Sequence, residues 1–159
     1  MFLSLHELRK HKIIHADIKP DNFLMDLSLK NIKLADFGTS FSLEEHSTDI
    51  EYLVARYYRA PEIILGCETP PEQRYGIDTW AVGCSLFEIF TGKFLFDGNS
   101  NNEMLKLMQE TKGKFSIKML KKCKFFEKHF DSEFNFLYTY YDKNTKETVV
   151  SKMQVGIAP

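Results

Sequence analysis

"IIHADIKPDN", Ile13 to Asn22, decides how the rest of the chain is read. Two apolar residues run into a stretch where His15, Asp17, Lys19, Asp21 and Asn22 stand almost side by side, with Pro20 barring helical continuation. So dense a set of ionisable groups behind a hydrophobic anchor makes a poor core and an unusual linker. Asp17 and Asn22 are related as D-x-x-x-x-N with Lys19 between them, and Asp36-Phe37-Gly38 follows. Phosphoryl transfer needs such parts: a carboxylate to accept or orient the nucleophile's hydroxyl proton, a cation near the moving group, and oxygen ligands for Mg²⁺ on nucleotide phosphates. Asp17, Lys19 and the Asn22/Asp36 pair fill those roles in turn.

Composition narrows the alternatives. The 159 residues suffice for one domain with a real core, and length gives no reason for a second. Hydrophobic residues make up 43% and charged residues 27%, with 14 Phe and 7 Tyr, so a folded globular chain is expected rather than a disordered one. The formal net charge of -1 supplies no global attraction to nucleic acid or to an anionic membrane. Cys67, Cys84 and Cys123 are far apart and form no C-x-x-C pair, so neither a zinc site nor a disulfide framework is expected, and a reducing intracellular compartment fits. "MFLSLHELRK" breaks its apolar run with His6, Glu7 and Arg9, and the stretch Trp80 to Phe90 contains Glu88 and is too short for a bilayer. Neither a signal peptide nor a transmembrane helix is expected.

Along the chain, Leu3, Leu5, Leu8, Ile13 and Ile14 read as the last turns of an amphipathic helix that hands over to the polar loop. "FLMDLSLKNIKLAD" suits a small hairpin that delivers Asp36 at its far end. The mixed stretch from Asp36 to Tyr58 reads as a long functional loop, and "APEIIL" as a short helix with Pro61 in its first turn. Ile77 to Phe90 is apolar almost all round, which predicts a helix buried on every face, and Asn102 to Thr111 predicts an amphipathic one. "FNFLYTYYDKNTKETVVSK" reads as a hairpin whose aromatic residues, Phe134 to Val150, pack into a core.

"HADIKPDN", "DFG", "APE" (Ala60 to Glu62) and "DTW" (Asp78 to Trp80) together resemble the eukaryotic protein kinases. Singly, each is equally well a solvated turn, a strand end or a carboxylate at a helix start; in this order they support one another. The resemblance implies ATP and Mg²⁺ as cofactors, Asp17 and Lys19 as catalytic residues, and Asn22 and Asp36 as metal ligands. It also implies that Leu24 and Ala35 line the adenine pocket, and that His15 and Phe37 stack as structural elements beside Glu62 and Asp78. Lys19 followed by Pro20 resembles the serine/threonine class. "YLVARYYRAPEIILG", "YGIDTWAVGCSLFEIFTGKFLF" and "NNEMLKLMQETKGKF" are similar to the CMGC group, and within it to the pre-mRNA-processing-factor-four kinases. That narrower resemblance implies a nuclear location and protein substrates in splicing complexes, without direct nucleic-acid or membrane partners. In related kinases a phosphotyrosine at the place of Tyr52 is clamped by two arginines, here Arg56 and Arg59, which makes these three candidate regulatory residues.

The expected fold is protein kinase-like, its C-terminal lobe only, mainly α-helical with short β-hairpins. The small N-terminal lobe is expected to be absent, because no G-x-G-x-x-G loop, V-A-I-K-type lysine or partner glutamate occurs in the sequence. Residues 1–159 read as a partial catalytic domain, with an activation segment at 36–62 and a truncated CMGC-type insert at 113–159. Glu62 would lack the arginine that a later helix supplies in the family. Ala16 stands where most kinases carry the arginine that receives an activation-loop phosphate. On this reading the chain alone is inactive; the alternative is a non-catalytic kinase-lobe scaffold, or pseudokinase-like binding piece.

Overall fold

Short apolar runs separated by polar turns produce three separate two-stranded antiparallel sheets among the described residues. The structure, a computed structural model, describes residues 1–43 and 54–153. The chain forms two compact units, one of Met1–Ile63 with Thr69–Leu95, the other of Ile64–Glu68 with the chain from Phe96 on.

The first unit opens with helix α1 (Phe2–Lys10), of which only Leu8 is buried. His11 closes the helix by donating its amide to the Glu7 carbonyl (3.1 Å), and Lys12 turns left-handed at φ 57°. Ile13 and Ile14 therefore leave the helix that their spacing predicts. They form strand β1 (Ile13–Ile14), paired with β4 (Phe41–Ser42) so that Ile14 faces Phe41. Two adjacent β-branched residues sit more easily in an extended pair than in a closing helical turn. The predicted hairpin forms as β2 (Phe23–Met25) and β3 (Ile32–Leu34), with Asp36 just beyond its end. Asp26 ties its turn: the carboxylate accepts from Ser28 Oγ (2.8 Å), Asn31 Nδ2 (2.6 Å) and the amides of Lys30 and Asn31. These donors, the Asn31 side chain foremost, hold the Asp26 carboxyl down at about 2.

Helix α2 (Pro61–Ile64) is followed by α3 (Gly76–Thr91), which Gly92 ends in the left-handed conformation, φ 70°. Burial of α3 on every face does not occur. Ile77, Asp78, Ala81, Val82, Cys84 and Ser85 are buried, whereas Leu86, Phe87, Ile89 and Phe90 are exposed, Phe90 at 91%. All-round apolarity permits burial, but only a neighbour confers it. The neighbours gather at the helix start, where Ile77 joins Ile14, Ala16, Phe41, Val54 and Ala60 in one cluster. Burial pushes the Cys84 thiol up to about 12.

The second unit is built on α4 (Asn101–Lys112), capped by Ser100 Oγ accepting from the Glu103 amide (3.1 Å), and on α5 (Ile117–Leu120). Strands β5 (Phe136–Asp142) and β6 (Glu147–Met153) make the predicted hairpin, with Phe136 opposite Met153. Its aromatic residues pack in a core only at the base: Phe136 is buried against Phe130, while Tyr141 is 61% and Val150 58% exposed. A ribbon of two strands has two faces and a free tip, so alternation cannot bury all of it. Asn102 anchors the base, its Nδ2 donating to the Leu137 carbonyl (2.9 Å) and its Oδ1 accepting from the Thr139 amide (2.8 Å). The same Nδ2 lies 3.0 Å from His129 Nδ1, which acts as acceptor, so the ring is neutral; burial pushes its pKa down to about 4.

Cys67 and Cys123, expected as free thiols, are joined in a disulfide across a sequence separation of 56. Chain spacing does not report spatial neighbours. Here backbone bonds from Phe125 to Leu65 (2.9 Å), Lys124 to Gly66 (3.0 Å) and Glu68 to Lys122 (3.0 Å) set the two segments side by side. Gly66 has φ +62°, and a Cβ there would meet the Phe125 ring at 2.6 Å. Among the described residues no helix is long and apolar enough to cross a membrane.

Two stability measurements check this account. Asn102→Ala strands the Thr139 amide and the Leu137 carbonyl, and is expected to cost about 2–4 kcal/mol in denaturant unfolding. His129 binds its proton more weakly folded than unfolded, so its contribution is full above the usual value of 6.5 and is lost as pH falls toward about 4. That loss is about 3 kcal/mol. The carboxyls of half-buried Glu62 and buried Asp78, raised by desolvation, act with the opposite sign, so the test is the difference between wild type and His129→Gln across that window.

Candidate active site

The polar loop is shaped by a residue far along the chain. Asp78, in the first turn of α3 and only 3% exposed, accepts the His15 amide on Oδ2 (2.8 Å) and the Ala16 amide on Oδ1 (3.0 Å). Ala16 itself takes the left-handed conformation, φ 63°, and turns the chain that follows it. Desolvation raises the Asp78 pKa, and the two amides oppose it.

Past that bend, Asp17 Oδ2 accepts from Lys19 Nζ at 2.7 Å and from Asn22 Nδ2 at 3.1 Å. Asn22 reaches back through the tight turn Pro20–Asn22, and its Nδ2 also donates to the Asp17 carbonyl (2.7 Å). Among the described residues no hydrogen bond falls on Asp17 Oδ1 or Asn22 Oδ1. The Asn22 carbonyl accepts the Ala35 amide (2.9 Å), which ties the hairpin exit to the loop. His15 Nδ1 accepts the Asp17 amide (3.3 Å), so the ring proton sits on Nε2 and is donated to the Ala35 carbonyl (3.0 Å). The ring meets Phe37 edge to face, 4.9 Å between centroids. Asp36 follows in the left-handed region, φ 60°, exposed, with Oδ1 accepting from the Gly38 amide (3.3 Å).

Asp17, Lys19, Asn22, Ala35, His15, Phe37 and Asp78 thus belong to one connected network, which Asp36 adjoins along the chain between Ala35 and Phe37. Leu24 lies on β2, 59% exposed. Arg59 donates Nε and Nη2 to the Val54 carbonyl (3.0 and 2.7 Å), and Arg56 is exposed in the turn Arg56–Tyr58. Tyr52 lies outside the described residues. Glu62, on α2, is half-buried; desolvation raises its pKa, and no described residue pairs with its carboxylate. Thr39 and Ser40, which donate their hydroxyls to the His15 carbonyl (3.1 and 3.3 Å), were not singled out from sequence. The two hydroxyls directly after Gly38 were the available signal. Tyr58, likewise missed, donates its hydroxyl to Glu88 (2.5 Å), and burial, then that carboxylate, pushes the phenol pKa up.

The donor set fits Mg²⁺. Asn22 Oδ1 and the Asp36 carboxylate are hard oxygens with free lone pairs, and no group of three His, Cys, Asp or Glu occurs among the described residues. Mg²⁺ is ordinarily held by one or two protein oxygens plus substrate phosphates, not by a full protein cage.

Residues 1–153 match the protein kinase domain, and the chain belongs to that family. It is 47% identical over 147 residues to the serine/threonine-protein kinase prp4 of Schizosaccharomyces pombe, covering 92% of this chain and 30% of that protein. It is 48% identical over 149 residues to the serine/threonine-protein kinase prpf4B of Dictyostelium discoideum, covering 94% of this chain and 18% of that one. A rat dual specificity tyrosine-phosphorylation-regulated kinase 3 is 42% identical over 124 residues, covering 76% of this chain and 20% of that protein. The chain therefore spans less than a third of each of these relatives.

Removing the carboxylate that shapes the loop should be costly. Asp78→Ala leaves two buried amides unsatisfied and is expected to destabilise the fold by about 3–5 kcal/mol, whereas Asp78→Asn keeps one acceptor and costs less. Urea unfolding of the two variants beside wild type reads the difference.

Proposed function

We propose that this chain is the nucleophile- and metal-holding part of a protein serine/threonine kinase, the C-terminal lobe of the kinase fold. Its parent transfers the ATP γ-phosphate to Ser or Thr hydroxyls of protein substrates. One observation carries the reading: Lys19 and Asn22 clamp one oxygen of Asp17 and leave the other open. A carboxylate so held presents a fixed lone pair to an incoming hydroxyl and takes its proton as the bond to phosphorus forms. Lys19, beside it, offers positive charge to the transferred group. Asn22 Oδ1 and Asp36 would hold Mg²⁺, which, when bound with ATP, neutralises charge on the phosphates. Leu24 and Ala35 supply apolar wall for the adenine. Residues 36–62 serve as the activation segment and 113–159 as the insert characteristic of the CMGC group.

Splicing proteins as substrates and a nuclear location are the finer part of the proposal. Their support is the resemblance of the "HAD" variant (His15 to Asp17) and of "MLKLMQETKGK", followed by "HFDSEFNFLY", to the pre-mRNA-processing-factor-four kinases, together with the prp4 and prpf4B names of two relatives. Phosphorylated Tyr52, clamped by Arg56 and Arg59, is the proposed regulatory element, taking the place of a phosphate contact that Ala16 cannot make.

The decisive comparison uses two variants of the protein that carries this domain. Asp17→Asn is expected to lower kcat about 10²–10⁴-fold with ATP affinity nearly unchanged. Asp36→Asn should weaken Mg²⁺-dependent ATP binding as well; equal loss of ATP affinity in both would overturn the assignment. Tyr52→Phe should lose most activity, and full activity, or mass spectra of active enzyme without phosphate on Tyr52, would remove the switch.

A further inference from the structure

The second unit contains a covalent feature that phosphoryl transfer does not use. Cys67 and Cys123 are bonded, one three residues beyond α2 and the other three beyond α5. Three backbone hydrogen bonds hold the two segments together on either side of the sulfurs, and none of them depends on the bond between the cysteines. The Phe125 ring also takes up the space that a side chain at Gly66 would need. The two sulfurs thus remain neighbours when reduced, and closing the bond requires little further ordering of the chain. The reduced state is provided for as well: Cys123 Sγ lies 3.2 Å from the Met119 carbonyl, which can accept a hydrogen bond from the thiol, so reduction does not leave the buried Cys123 thiol without an acceptor. Cys123 is 8% exposed and Cys67 half-buried, which gives Cys67 the readier access to solvent. The remaining cysteine, Cys84, is buried in the other unit, with its thiol held protonated.

We propose that Cys67 and Cys123 are a reversible oxidation site, a redox clasp that locks Ile64–Glu68 covalently to the segment around Cys123 when closed and leaves that pairing to its backbone hydrogen bonds when open. The proposal rests on the reducing, nuclear compartment inferred above, because disulfides in such compartments are transient and redox-sensing rather than permanent. Hydrogen peroxide is the oxidant. The Cys67 thiolate attacks one peroxide oxygen, the O–O bond breaks, and Cys67 becomes a sulfenic acid with release of hydroxide. The Cys123 thiol then displaces that hydroxyl as water and forms the S–S bond. A dithiol reverses the change by exchange at the more accessible Cys67 sulfur and is itself oxidised to a disulfide.

The test treats the folded protein carrying this domain with hydrogen peroxide or with dithiothreitol, traps free thiols with an alkylating reagent, and reads the peptides by mass spectrometry. Both cysteines should be alkylated after the dithiol. After peroxide neither should be, with a cross-linked peptide two hydrogens lighter and a melting temperature about 5–15 °C higher than in the reduced form. Cys67→Ser and Cys123→Ser should each abolish the cross-link and the shift, and Cys84→Ser should leave both. Thiols that stay alkylatable after peroxide would overturn the clasp. So would a cross-link that dithiothreitol opens only after unfolding, since that is a fixed structural bridge. The readout does not involve phosphate transfer: active enzyme whose cysteines fail to cycle removes the clasp alone, and cycling cysteines in an inactive protein count against the kinase reading alone.

Discussion

Two backbone amides on one buried carboxylate hold this site in shape. Asp78 takes the N–H groups of His15 and Ala16 from a distance of more than sixty residues along the chain. Nearby polar features follow from the bend this imposes. Ala16 beside them lies in the left-handed region, the His15 ring bridges the Asp17 amide and the Ala35 carbonyl, and Asp17 emerges where Lys19 and Asn22 can both reach it. Burying a carboxylate is costly, and its raised pKa records that cost. Amides from a loop that has no regular secondary structure to satisfy them offset the cost, so each side resolves the other's unpaired polarity.

The same loop explains why the site is built from short elements. A hydrogen bond from the Ala35 amide to the Asn22 carbonyl joins the exit of β3 to the turn Pro20–Asn22, and the Asp26-tied turn closes the hairpin between them. Asp36 therefore follows directly on a two-stranded clip, while its own carboxylate stays exposed and, among the described residues, accepts only a long hydrogen bond from the Gly38 amide. Metal-binding oxygens need this combination of fixed backbone and available lone pairs.

What the sequence made legible was local or chemically loaded. The hairpin after Asn22, the short helix at Pro61, α4 and the late ribbon follow from turn residues and periodicity, and the clustering of Asp17, Lys19 and Asn22 follows from charge density at fixed spacing. Readings that depended on partners at a distance did not come through. Ile13 and Ile14 belong to a strand because Phe41 lies opposite, and Lys12, an ordinary lysine, makes the left-handed turn. Phe90 is exposed despite its apolar surroundings in sequence, since burial is a property of neighbours. Cys67 and Cys123 meet through backbone pairing that no cysteine count can foresee. Asp78 was read as structural, but its two amide donors could be named only from the fold.

We propose that Asp78 acts by positioning Asp17 and not by touching nucleotide or substrate. Single-turnover phosphoryl transfer by Asp78→Asn, at a temperature where circular dichroism shows the fold intact, tests it most directly. Loosening one of the two amide contacts should slow transfer by about tenfold or more, because small misplacements of a reacting group are expensive, while ATP affinity holds. An unchanged rate, or a loss confined to ATP affinity, would contradict the account.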